Sequence, residues 1–147
     1  MKIRQLSLFI ENRPGQMIAP FKILSEAGIN ILTLSLADTQ QFGILRLIVQ
    51  DWEQAKAALE KAGCVVNVTE VVAIEVEDKP GGLFEILSVI DKGGINVEYM
   101  YAFTFGYDGK AALIFRFEDA DAAIATLQAG GVPLIGSVNL YSRMTNC

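Results

Sequence analysis

The chain has 147 residues, the size of one domain or of two small ones, and 52% of them are hydrophobic against 20% charged. That supplies ample material for a core and excludes a disordered chain. With 12 basic and 17 acidic residues the net charge is −5, which excludes nucleic acid as an expected direct partner, and the absence of histidine removes His-based triads and most transition-metal sites.

Residues 4–10 alternate apolar and polar, with Leu6, Leu8 and Ile10 on one side, and predict a strand. No long apolar segment follows the first residues and no run of about 18 apolar residues occurs, so neither a signal peptide nor a membrane span is expected, and a cytoplasmic location is. Pro14-Gly15 ends the strand. Met17, Ile18, Phe21, Ile23 and Leu24 then recur at helical spacing, and Gly28 closes that helix. Branched, apolar runs over 30–37 and 44–50 predict two strands joined by a turn at Gln41-Phe42-Gly43. Asp51 suits the N-cap of a helix over 52–62, whose inner face is Ala55, Ala58, Leu59 and Ala62. Val65–Val68 forms a last strand. Cys64, in Gly63-Cys64-Val65, reads as a small buried hydrophobe, and two cysteines are too few for a disulfide framework.

The second half repeats the first. At an offset of 66, Glu11-Asn12-Arg13-Pro14-Gly15 matches Glu77-Asp78-Lys79-Pro80-Gly81, and Gly28-Ile29-Asn30-Ile31 matches Gly94-Ile95-Asn96-Val97. Gly43 meets Gly109 and Leu47-Ile48-Val49 meets Leu113-Ile114-Phe115, with two extra residues in the second copy expected after that point. The copy reads strand 71–77, helix 82–92, strands 96–105 and 110–117, helix 119–129 and strand 133–142.

Each copy therefore has the order βαββαβ. Two right-handed crossovers then put both helices on one face of a four-stranded antiparallel sheet, a ferredoxin-like α+β sandwich. Two such domains are expected in tandem, 1–70 and 71–147, paired side by side into one eight-stranded sheet with the helices on one face. Residues 1–70 carry seven basic and seven acidic groups and residues 71–147 carry five and ten, so the −5 belongs to the second copy.

The repeated loops carry the chemistry. Pro-Gly after a short polar residue is good turn chemistry in itself. The helix start at Gly15, Gln16 and Met17 also presents backbone N–H groups suited to a carboxylate. An Asn amide donates and accepts, so it suits both ends of a zwitterion. Asn12 and Asn30 lie at opposite ends of one helix, as do Asp78 and Asn96. Across a two-fold pair of copies, Asn12 would approach Asn96 and Asp78 would approach Asn30. Asp78 favours an ammonium, so the two pockets are expected to be inequivalent. Gly81 repeats Gly15, while Met17 and Leu83 suit either the side-chain space of a ligand or the core.

These stretches resemble the ACT domain, the small-molecule regulatory module of amino-acid metabolism. The loops are most similar to the serine-binding regulatory domain of phosphoglycerate dehydrogenase. The resemblance implies domains paired side by side, ligands at the seam, and effector contacts from Asn12, Asn30 and Asn96 with Asp78 as the fourth corner. It implies a stand-alone allosteric regulator that is not an enzyme, without cofactor, metal or catalytic residue. Its ligand would be a free amino acid or similar zwitterionic metabolite. It would act as a homodimer on an enzyme or regulator of amino-acid metabolism. Where the serine-binding version has a histidine, this chain has Ile10 and Val76, so serine does not carry over. Pro20 falls inside the first helix, where Ile86 stands in the second copy.

Two alternatives compete. An acylphosphatase-like enzyme shares the topology but needs a Gly-rich loop with an arginine, and Arg13 with Gly15 alone is a weak match. A protein-docking or oligomerisation module would use the alternating stripe Tyr99, Tyr101, Phe103, Phe105 and Tyr107, which otherwise serves as packing.

Overall fold

The fold is a computed structural model that describes residues 2–103 and 108–145. It divides into two compact units, one of Arg4–Thr69 and the other of Lys2, Ile3 and the chain from Glu70 onward. In the first, β1 (Lys2–Glu11), β2 (Ile31–Asp38), β3 (Phe42–Val49) and the start of β4 (Val66–Glu77) lie in the order β2-β3-β1-β4. Helices α1 (Ile18–Glu26) and α2 (Trp52–Lys61) connect them. In the second, the rest of β4 lies between β6 (Lys110–Phe117) and β7 (Leu134–Ile135), with β5 (Val97–Ala102) beyond β6. Helices α3 (Gly82–Lys92) and α4 (Ala120–Ala129) complete the βαββαβ order.

The cores match position by position. Leu6, Leu8, Ile10, Leu24, Leu45, Leu47, Val49, Ala55 and Leu59 build the first. Val72, Ile74, Val76, Ile90, Leu113, Phe115, Phe117, Ala123 and Leu127 build the second. Large side chains are placed differently to fill similar space. The first unit packs Phe21 and Trp52 from its helices against the core, where the second has Leu87 and Ala120. The second instead stacks Phe115 on Phe117 from one strand, with ring centroids 5.6 Å apart.

Strand register corrects the alignment of the copies. Leu34 pairs with Leu47 and Met100 with Phe115, so β5 follows β2 at an offset of 66 while β6 follows β3 at 68. The two extra residues thus lie between β5 and β6, not after β6, and Leu47 corresponds to Phe115 rather than to Leu113. A hairpin absorbs an insertion without moving core residues, and a two-residue offset matches the strand period, so Leu113, Phe115 and Phe117 keep to one face under either alignment. Gly43 and Gly109 are accordingly not equivalents: Gly43 pairs with Ile10 inside β3, and Gly109 lies in the turn before β6.

Three further expectations change. The described strands number seven rather than eight, because β4 ends the first repeat and begins the second without a break, as the nearly continuous extended segment expected over 65–77, free of Gly and Pro, allows. The strand expected over 133–142 shrinks to Leu134–Ile135, and Ser137–Thr145 forms a helix, α5. In this helix Leu140 is deeply buried while Val138 is 78% exposed. The strand expected over 96–105 ends at Ala102, and Phe105 and Tyr107 lie outside the described residues. Of the rest of that stripe, Phe103 is buried and Tyr99 and Tyr101 are half-buried. Both tyrosines pair opposite Ile114 and Arg116, on the face turned away from Phe115 and Phe117.

Glu75 interrupts the apolar run of β4 and anchors α5. Its side chain is only 13% exposed, and its carboxylate meets Arg143 at 2.6 Å and Lys110 at 3.1 Å. The hydrogen bond from Arg143, ahead of that from Lys110, holds the Glu75 carboxyl below its ordinary value of 4.5 despite partial burial. A carboxyl depressed in the folded state contributes stability above its unfolded pKa and loses it as pH falls through the folded value. Urea unfolding of the native chain should therefore weaken as pH falls below about 4.5, and Glu75→Gln should flatten that part of the profile while costing about 1–2 kcal/mol at neutral pH. The helix caps give a second expectation. Asp51 and Asp119 accept the N–H groups of Gln54 and Ala122, each at 3.0 Å. Replacing either by alanine should cost about 1 kcal/mol in the same assay.

Candidate functional site

The two Pro-Gly loops are built by the same backbone bonds. The N–H of Asn12 donates to the Gln41 carbonyl at 3.1 Å, and that of Asp78 to the Gly109 carbonyl at 3.0 Å. Arg13 and Lys79 donate back to Glu11 and Glu77, both at 2.9 Å. Gln16 and Gly82 close the turn on Arg13 and Lys79 at 3.4 and 3.1 Å. Gly15 and Gly81 share a φ of +87°, a left-handed conformation in which a side chain is strained. Sequence repetition is here repetition of geometry, and it sets Asn12 and Asp78 at the mouths of equivalent turns with exposed side chains.

The helices then start differently. At α3, Gly82 approaches β4 so closely that a Cβ would stand 2.2 Å from the Glu77 carbonyl oxygen. Its counterpart Gln16 carries that Cβ, and α1 begins only at Ile18, with Met17 at the N-cap. The expected helix start at Gly15, Gln16 and Met17 is thus a turn leading into the helix. This delay also resolves Pro20: it is the third helical residue, where no intrahelical partner exists for an N–H, and it is buried at the core position that Ile86 fills in α3.

The N-termini divide into two classes. In α2 and α4 an aspartate fills the cap. In α1 and α3 no side chain caps the first turn. Exposed apolar residues stand at matched positions beside those turns: Met17 and Ile18 at 42% and 70%, Leu83 and Phe84 at 39% and 74%. The charge differs. The first turn of α1 has no acidic residue, whereas α3 has Glu85 there and Asp78 in the loop before it.

Within each unit the structure brings Asn12, Gly15, Gln16 and Met17 together in one turn, and Asp78, Gly81 and Leu83 in the other. It keeps Asn30 and Asn96 apart from them. Both are exposed and follow the C-terminal ends of α1 and α3, helices of 9 and 11 residues, or roughly 13 and 16 Å. Ile10 and Val76, where a serine site would need histidine, point into the two cores. Arg13 Nε is paired with Glu11 at 2.7 Å, so the cation an acyl-phosphate site would need is engaged by a neighbouring carboxylate. Among the described residues, no group of three or more acidic or cysteine side chains is placed to hold a metal. Among the same residues, no helix is long and apolar enough to cross a membrane.

Sequence reasoning misses α5, the Glu75 ion cluster and a cavity in the second unit. A lone glutamate in the run Val71-Val72-Ala73-Ile74-Glu75-Val76 is the available signal for the cluster, since a carboxylate at such a position requires a cation. The cavity has no sequence signature, because its lining comes from four separate segments.

The fold is shared with proteins of known structure. Protein BT0572 from Bacteroides thetaiotaomicron is 35% identical, with 96% of each chain covered and a TM-score of 0.89. The regulatory subunits of aspartate kinase from Thermus thermophilus and Thermus flavus are 19% and 20% identical, with TM-scores of 0.62 and 0.58. They cover 86% and 87% of this chain and 91% and 92% of their own, and at that identity they show the common fold. No curated protein matches the sequence significantly. The ACT domain pair family matches residues 1–142, nearly the whole of both repeats. With the doubled βαββαβ order and the matched loops, this places the chain in the ACT domain pair family.

Proposed function

We propose that this protein is an amino-acid-binding regulatory protein without catalytic activity of its own. The observation that carries the reading is the contrast among the helix N-termini. Two are closed by aspartate, and the two that come after the repeated Pro-Gly turns have no side-chain cap. A ligand carboxylate would complete them as a cap does. The likeness to structures described as regulatory subunits of aspartate kinase is consistent with such a role.

In this reading the turn of Asn12, Gly15, Gln16 and Met17 takes the carboxylate, and Asn96 of the other repeat contributes the second amide. Asp78, Gly81 and Leu83, with Asn30, form the inequivalent counterpart. Asp78 and Glu85 weaken that site for a carboxylate, so the Asn12 site is the stronger. The exposed side chains of Met17 and Leu83 favour a ligand with an apolar side chain over serine. Side-by-side pairing of the repeats, a homodimer and a partner in amino-acid metabolism belong to the same proposal. A second reading, a docking module without ligand, is favoured by the matched exposure of Ile18 and Phe84.

Thermal-shift and calorimetric titration with the twenty amino acids tests the choice. At least one apolar amino acid should raise the melting temperature and bind saturably. Asn12→Ala and Asn96→Ala should each weaken that binding about tenfold or more without lowering the ligand-free melting temperature appreciably. If no amino acid binds at millimolar concentration, the docking reading replaces this one. If one binds equally well to both variants, the site lies elsewhere.

A further inference from the structure

The second unit holds a cavity of about 220 Å³ at the amino-terminal half of α3, the end of α4 and the edge of β4. Gly82, Glu85, Ile86 and Val89 line it from α3, at the spacing of a single helical stripe. Leu83 and Phe84 lie off that stripe, so the cavity is separate from that exposed apolar pair. Its walls are completed by Val76 of β4 and by Val132 and Pro133 after α4.

The polar lining is one-sided. Glu75, Glu77 and Glu85 are all among its lining residues, and Glu77, opposite Lys110 in the strand register, and Glu85 are exposed at the surface. Lys110 also lines it, but its ammonium is drawn 3.1 Å from Glu75, whose other oxygen is held by Arg143. Gly130 and Gly131 bring in the C-terminal end of α4, which has no basic residue in its last turn to offset the negative end of the helix dipole. The local field thus favours a cation. Apolar walls and few carboxylates, of which Glu75 and Glu77 both lie beside Lys110, do not suit a hard metal ion, which takes six or so oxygen ligands.

We propose that this cavity binds a small organic cation, a primary ammonium on a short aliphatic body. The aliphatic part lies against Val76, Val89 and Val132, and the ammonium is held between Glu77 and Glu85. The first repeat does not reproduce this chemistry. Gln16, Ala19 and Pro20 stand where the second has Gly82, Glu85 and Ile86, and Phe42 stands where it has Lys110. The proposal is independent of amino-acid binding at the Asn12 turn, and either can fail without the other.

Amide NMR titration of the full chain with n-butylammonium chloride tests it, with sodium butyrate and ammonium chloride in parallel. Saturable shifts are expected at Gly82, Val89, Gly130 and Gly131 with butylammonium alone. The exposed double substitution Glu77→Gln with Glu85→Gln should weaken binding about tenfold or more while leaving the melting temperature nearly unchanged. Val89→Phe, which fills the cavity from its wall, should abolish the shifts at Gly130 and Gly131. The proposal is overturned if butylammonium gives no saturable shift, or if butyrate or ammonium chloride reproduces the effect. Unchanged affinity in the double variant overturns it as well.

Discussion

One constraint organises both repeats: two helices must cover one face of a sheet, and every second residue of its strands has to fill that face. Leu6, Leu8 and Ile10 meet Leu45 and Leu47 on that face in the first unit, and Val72, Ile74 and Val76 meet Leu113 and Phe115 in the second. Because a strand has a period of two, register is not negotiable once this face is buried. Everything else has been free to vary. The two-residue difference between copies falls in the β5–β6 connection, where no core position moves. The aromatic volume has passed from Phe21 and Trp52 to Phe115 and Phe117 without changing which face is filled.

The same constraint explains why the loops have kept their form. A helix that must dock on its sheet has to leave the preceding strand at a fixed point. The bonds from Asn12 to Gln41 and from Asp78 to Gly109 tie that exit to the neighbouring hairpin. The left-handed glycine then turns the chain into the helix. A single side chain sets the residue at which the helix begins. Gly82 lets α3 start against the Glu77 carbonyl, and Gln16 delays α1 by two residues. The delay makes a proline acceptable at the buried position that an isoleucine fills in the other copy. A residue that reads as a defect in the sequence is therefore compatible with the helix as folded.

Most of this architecture is legible from residue patterns, and the exceptions share a physical cause. Alternation in β1 and helical spacing in α1 to α4 are local and survive in the sequence, as do the aspartate caps at Asp51 and Asp119. The repeat exposes the loops and their left-handed glycines. By contrast, a strand is expected where α5 forms, and nothing local says that Arg143 is held by Glu75, 68 residues away. The start of α1 is hidden because its position depends on a carbonyl on the strand before it. The place of the extra residues is hidden for a similar reason, since chance identities at Leu113 outweigh a register that only pairing reveals. For the candidate site, the residues of each turn can be grouped from sequence. The difference in helix capping requires the folded hydrogen bonds.

The charge asymmetry of the two halves has a structural location. The ten acidic groups of the second copy outnumber its basic ones by five, and part of that excess lies around the start of α3. Glu75 is neutralised by Arg143 and Lys110, and Asp119 is consumed as a cap. Asp78, Glu77 and Glu85 lie around the start of α3, the place where the first copy has Asn12, a paired Glu11 and Ala19. Equivalent backbone has thus been given opposite electrostatic character. In the proposed reading the uncapped start of α1 suits a carboxylate, while at α3 the nearby carboxylates offset part of the positive charge of the helix start. Duplication supplied one turn twice, and two of these positions, Asn12 against Asp78 and Ala19 against Glu85, differ in charge between the copies. In such a pair, the fold requires that both loops be kept, but it does not require that both bind the same ligand.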